Sequence, residues 1–203
     1  EFTIPKEVRF IAATLQAAGF EAYLVGGCVR DHLMRIRPKD YDITTNATPD
    51  EIISLFPKTF YENTYGTVGV VTCGEELGII CTDETVKIVE VTPYRLESSY
   101  SDNRHPDEVK WGEFIEDDLK RRDFTVNAIA YNPTTGELVD PYNGQNDIKD
   151  KIIRAVGDPD ERFQEDALRL MRAVRFVSQL DFDLESVTRE SIRLNADRLR
   201  AIS

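Results

Sequence analysis

The apolar positions along the chain follow two periods. Over residues 6–18, Val8, Ile11, Ala12 and Leu15 recur at helical spacing, which predicts an amphipathic helix stopped at Gly19. Ala22 to Val25 reads as a short strand running into Gly26-Gly27. Val29 to Ile36 reads as a short helix broken by Pro38, and Tyr41-Asp42-Ile43 as a second strand. Thr48-Pro49-Asp50-Glu51 carries a helix-start pattern: a threonine N-cap, proline at the first position and an acid three residues on. That helix is expected to end near Phe56-Pro57. Gly66–Thr72 and Val86–Thr92 are rich in β-formers and predict two further strands. Tyr94 to Trp111 has no periodicity and predicts a mobile loop. Phe124 to Tyr131 is apolar, Leu138 to Pro141 is a short edge, and Tyr142-Asn143-Gly144 is a turn. From Asp147 onward the pattern is helical. The expected fold class is therefore α+β followed by an all-α part, divided as residues 1–146 and 147–203.

Composition adjusts this picture little. A chain of 203 residues buries a sizeable core without staples, and 41% hydrophobic with 31% charged residues is ordinary for a folded protein. Charge is more informative. With 25 Lys and Arg against 37 Asp and Glu, the net charge of −12 argues against a simple basic nucleic-acid binder. The acidity is local, however. Residues 75–118 hold 13 acids and 4 bases, while residues 162–203 hold 8 bases and 7 acids. A nucleotide site can therefore carry a field unlike that of the whole. Cys28, Cys73 and Cys81 show no CxxC spacing and are expected as reduced thiols in a cytoplasmic protein. No run approaches the ~18 apolar residues of a membrane span, so no membrane role is expected.

Asp40-Tyr41-Asp42 is the sharpest chemical feature. On a strand the two carboxylates face one side, where their repulsion favours a cation between them. Oxygen ligands of this type suit Mg²⁺, with Mn²⁺ as a substitute, and such metals also bind substrate phosphates. A solvated turn of two acids is the plainer alternative for the motif by itself. Fourteen residues upstream lies LVGGCVRD, residues 24–31. Gly26 and Gly27 at a strand-to-helix turn let backbone N–H groups approach phosphate oxygens, and Arg30 lies one turn into the helix. A tight turn beside a surface arginine is the alternative there.

Taken together, LVGGCVRDHLMRIRPKDYDITTNATPDEI closely resembles the first motif of the class II tRNA nucleotidyltransferases, the group of CCA-adding enzymes and bacterial poly(A) polymerases within the polymerase-β-like superfamily. The resemblance continues in RRDFTVNA (residues 121–128) and in DPYNGQNDIKDKIIRAVGDPDERFQEDALRLMRAVRF (residues 140–176). It implies a polymerase-β-like catalytic head followed by all-α neck helices, of which 147–203 would be a truncated start. By position, Asp40 and Asp42 match the family's catalytic metal ligands. Gly26, Gly27 and Arg30 match its nucleotide-phosphate segment. Arg122 matches a nucleotide contact, and Asp123 and Asn127 match the ribose side of the site. Asp166, Arg169, Arg172 and Arg175 match the helix that selects the incoming nucleotide. The implied reaction adds C and A from CTP and ATP to an RNA 3′ end, most closely that of tRNA, and releases pyrophosphate. Poly(A) polymerase and partial A-adding or CC-adding enzymes are the alternatives. A non-catalytic nucleotide- or RNA-binding module is the distant one.

The selecting segment can also be read from its pattern. At 100° per residue, Phe163, Ala167, Leu170, Met171, Val174 and Val177 form one apolar stripe, and Arg169 points roughly 150° away. Asp166 and Arg169, three apart, are then neighbours on the polar face. Asp166 offers only acceptors and Arg169 only donors, which complements cytosine and adenine but not uracil or guanine. A solvated i,i+3 salt bridge is the plainer alternative. Arg172 and Arg175 continue the polar track. Glu90, in a strand-like run, is either a third metal carboxylate or a solvent-facing acid. The loop with Arg95, Glu97, Arg104 and Asp107 resembles the family's flexible loop. His32 and His105 are isolated, Trp111 is expected to pack, and residues 75–85 read as a variable hairpin. The chain ends at Ser203, short of where the family's next motif would begin, which predicts a piece of a longer protein.

Overall fold

A computed structural model describes residues 2–62, 66–74, 79–80, 83–96 and 110–201. Helix α1 (Lys6–Ala17) buries Val8, Ile11, Ala12 and Leu15, the stripe its sequence predicts. Strand β1 (Tyr23–Val25) leads through Gly26 into α2 (Gly27–Leu33), and β2 (Asp42–Thr45) follows. Helix α3 (Pro49–Leu55) opens with a full capping box. The Glu51 N–H donates to Thr48 Oγ1, and Glu51 Oε2 accepts from the Thr48 N–H at 2.8 Å. Then come β3 (Thr59–Tyr61), β4 (Val68–Val71), β5 (Ile88–Pro93) and α4 (Ile115–Lys120). Strands β6 (Ala130–Tyr131) and β7 (Leu138–Val139) close the sheet, in the order β3-β4-β5-β2-β1-β6-β7. Its pairings are antiparallel except β2 with β5, which run parallel in a register that sets Asp42 against Glu90.

Helices α1 and α3 cover one face through Ile11, Leu15, Ile43, Ile52, Val89 and Val91. Ile115 and Leu119 of α4 pack with Val25 and Tyr94 in a separate cluster. The rest is mainly helical: α5 (Gly144–Asp150), α6 (Pro159–Glu165), α7 (Leu168–Leu180) and α8 (Ser186–Asn195). Two two-residue strands, β8 (Ile152–Ile153) and β9 (Asp183–Leu184), pair within it. Its core joins Ile153, Phe163, Leu170, Phe176 and Phe182 to Phe124 and Val126, so the sheet-bearing and helical parts share one apolar seam.

The structure corrects several local expectations. The segment 163–177 is not one helix. Asp166 is extended (φ −141°, ψ 103°) and separates α6 from α7. The break resets the helical phase, so Leu170, Ala173 and Phe176 face the core, while Met171 and Val174 are exposed. Arg169, expected on the open face, is buried. Cys73 is disulfide-bonded rather than free. The antiparallel Gly74–Ile79 bridge turns the chain back just after it, a proximity that residue spacing does not reveal. Cys28 is free and buried, and burial beside Asp42 pushes its thiol up to about 12. Cys81, His105 and residues 97–109 of the predicted loop lie outside the described residues. The loop's flanks meet in an Arg95–Trp111 bridge, and Trp111 packs over Gly66. His32 stacks on Phe2 at 4.9 Å. Among the described residues no helix is long and apolar enough to cross a membrane.

Candidate active site

The cleft forms where the end of β1, the start of α2, the approach to β2 and the face of α7 converge. Gly26 makes the turn at φ +76° and ψ −133°, a conformation closed to most side chains. A Cβ there would also stand 3.3 Å from an Arg122 terminal nitrogen. Gly26→Ala is therefore expected to cost about 1–3 kcal/mol of stability. It should also push Arg122 away from the turn, and thermal melts would read the loss.

Asp42 is the first residue of β2, and Asp40 sits exposed just before the strand. Strand alternation thus reaches Asp42 only, yet both aspartates line the cleft. On β5, Val89, Val91 and Pro93 are buried, and Glu90 takes the opposite face, beside Asp42. Burial, then Glu90 and Asp40, push the Asp42 carboxyl up to about 7, although Arg122 opposes them. Burial, Glu62 and Asp40 likewise raise Glu90, with Arg95 opposing. This is an anionic pocket short of positive charge at its centre.

Cationic groups surround it. The cleft, about 570 Å³, is lined by ten of the twelve predicted site residues: Gly26, Gly27, Arg30, Asp40, Asp42, Arg122, Asp123, Asn127, Arg172 and Arg175. Its lining has six basic and four acidic side chains, an excess opposite in sign to the chain's −12. The cleft therefore attracts an anion on a repelling body. Arg30 is buried and donates to Asn127 Oδ1 at 2.8 Å and to Asp31 Oδ1 at 2.7 Å. Asn127 Nδ2 donates to Asp123 Oδ1 at 3.3 Å, and Arg172 Nε donates to Asp123 Oδ2 at 2.7 Å. A continuous polar chain thus runs from α2 to α7.

Asp166 and Arg169 are placed differently. Asp166 Oδ1 accepts from the Leu168 N–H at 2.9 Å, at the start of α7. Arg169 donates to Glu165 Oε2 at 2.6 Å and to the Arg121 carbonyl at 2.9 Å. Neither residue lines the cleft, and the two form no ion pair with one another.

Two residues were not anticipated. Asp118 is fully buried and receives both Arg121, at 2.6 Å, and Arg122, at 2.7 Å. Burial would raise its carboxyl, but the two guanidinia outweigh that and hold it at about 2. The sequence carried the signal, since Asp118 precedes these arginines by three and four residues. Phe176 also lines the cleft, beneath three arginines.

A divalent cation fits the donor chemistry in part. Asp40 and Asp42 offer hard oxygens in a pocket whose like charges a cation would relieve. Among the described residues no group of three or more His, Cys, Asp or Glu side chains is arranged to hold a metal ion. Asp40 and Asp42, joined by phosphate oxygens from a ligand, would offer Mg²⁺ the hard donors it prefers.

The chain resembles known proteins over almost its full length. It is 48% identical to a CCA-adding enzyme of Lactobacillus helveticus (strain DPC 4571) over 194 residues, which are 95% of this chain and 45% of that protein. Its fold matches the crystal structure of the Bacillus stearothermophilus CCA-adding enzyme in complex with CTP, with TM-score 0.83, 40% identity and coverage of 98% of this chain and 46% of that one. It also matches the Thermotoga maritima CCA-adding enzyme complexed with tRNA, with TM-score 0.73, 25% identity and coverage of 98% and 44%. The chain thus spans about half the length of the relatives it matches. The poly(A) polymerase head domain matches residues 22–154, a span that takes in the Gly26 turn, Asp40, Asp42 and the Arg122–Asn127 segment, and the chain belongs to that family.

Proposed function

We propose that this chain is the catalytic head and first neck helices of a CCA-adding tRNA nucleotidyltransferase, with residues 1–146 as head and 147–203 as neck. The observation that carries the reading is the cleft itself: Asp40, just before β2, and Asp42, at its start, line one cavity with Arg30, Arg122, Arg172 and Arg175. In this reading an RNA 3′-hydroxyl attacks the α-phosphate of CTP or ATP, the new phosphodiester forms, and pyrophosphate leaves. Asp40 and Asp42 would hold Mg²⁺, which supplies charge neutralisation at the reacting phosphate. Arg30 and Arg122 would clamp the triphosphate with charge-assisted hydrogen bonds, beside the backbone of Gly26 and Gly27. Asp123 and Asn127 would hold the ribose side, and Arg172 and Arg175 would neutralise the open flank. Base selection is assigned to Asp166 and Arg169. It requires Asp166 to release the Leu168 N–H and Arg169 to turn from Glu165. A cytoplasmic location accords with this role.

Poly(A) addition is the second reading, favoured by the family's own description. The test supplies tRNA lacking its terminal CCA with each labelled nucleotide separately. CCA addition predicts incorporation of CTP first, then a single ATP. Long ATP-only tails would favour poly(A) synthesis, and no incorporation of any nucleotide would count against both.

A further inference from the structure

Three guanidinium groups crowd one aromatic ring on the wall of the cleft. The guanidinium carbons of Arg30, Arg172 and Arg175 lie 5.5, 5.3 and 5.3 Å from the ring centre of Phe176. Phe176 is 5% exposed and is fixed by Phe124, which meets it edge-on at 5.8 Å. Arg30 comes from α2, whereas Arg172 and Arg175 come from α7. The ring is thus the point where positive charge from two elements converges. Asp31 pairs with Arg30 and Asp123 with Arg172. Among the described residues Arg175 has no carboxylate partner. Three cations this close repel one another, and a π face attracts each of them. A carboxylate in the same place would attract them more strongly but would also compete with an anionic ligand. The ring draws the three cations together without adding a further negative charge beyond Asp31 and Asp123, and it leaves Arg175 unneutralised beside the cleft.

We infer that Phe176 is a positioning residue, whose ring electrons hold Arg30, Arg172 and Arg175 in place to receive a polyphosphate. This rests on the nucleotide reading above and deepens it. The ring's electron density, beyond its bulk, should set the affinity.

Site-specific replacement of Phe176 with mono-, di- and trifluorophenylalanine drains the π face with little change of shape. Two readouts separate the inference from the reading beneath it. One is the Kd for CTP with Mg²⁺, by calorimetry. The other, in the ligand-free chain, is the Nε–Hε NMR signals of Arg30, Arg172 and Arg175. The inference predicts a Kd that rises stepwise with fluorination, about tenfold by the trifluoro residue, with a constant melting temperature. It also predicts progressive broadening of the three arginine signals. Phe176→Leu should weaken binding by at least as much. A flat Kd together with unchanged arginine signals across the series would overturn the role given to Phe176. If the parent chain binds no CTP, the nucleotide reading fails for this chain, and the arginine signals alone decide whether the ring holds the guanidinia.

Discussion

Asp42→Asn is expected to reduce nucleotide incorporation by roughly a thousandfold or more, because the loss of the metal ligand proposed above would remove several kcal/mol of transition-state stabilisation. The same substitution should raise stability when no divalent ion is present. Burial, Glu90 and Asp40 push the Asp42 carboxyl up to about 7, far above an unfolded aspartate. Folding therefore takes up a proton, and stability falls as pH rises from about 4 to about 7, then levels off. Charging Asp42 in this pocket therefore opposes folding by about 4 kcal/mol before solvent screening. Asp42 is only partly buried by surface exposure, so solvent screening leaves about 2 kcal/mol. In EDTA at pH 8, Asp42→Asn should melt several degrees above the parent, and at pH 4 the two should nearly coincide. Mg²⁺ added to the CTP-bound protein should further stabilise the parent and leave the variant unmoved. A variant that melts lower in EDTA would refute the electrostatic picture of the pocket.

Asp118→Asn should have the largest effect on folding. The carboxylate has no exposed surface and is the common partner of Arg121 and Arg122. Removing one member of a buried ion pair costs about 3–5 kcal/mol, which for a chain of this size lowers the melting temperature by roughly 10 °C. The sign with pH is opposite to that of Asp42. Asp118 is held at about 2, below its unfolded value, so its contribution is present above about pH 4 and is lost as pH falls toward 2. The gap between parent and variant should close on acidification. Arg122 would also lose its anchor, so CTP binding should weaken about tenfold, the scale of one charge-assisted hydrogen bond. A variant with an unchanged melting temperature would show that the pair is solvated.

How much of this was legible beforehand depends on whether the signal was local. The capping box at Thr48, the α1 stripe and the Gly26 turn were readable, because each is set by residues within one or two turns. Ten cleft residues were named through motif resemblance, and the fold brings them to one cavity. The phase of α7 was not readable. The pattern through 163–177 looks like one helix until Asp166 leaves helical geometry to cap the next. Strand β3 has only three residues, largely exposed, and no alternation to announce it. The disulfide at Cys73 and the Phe176 cluster are tertiary facts, invisible to spacing along the chain. Asp118 stands three and four residues before its partners, but the acidic run around it masks the pairing.

In the proposed function, Asp40 and Asp42 make this cleft a metal–triphosphate site. Titration with Mn²⁺, followed by electron paramagnetic resonance with and without CTP, tests it most directly. Tight Mn²⁺ binding that requires CTP, and that is lost in both Asp40→Asn and Asp42→Asn, is expected. Equal Mn²⁺ binding in the parent and both variants, with CTP present, would contradict it.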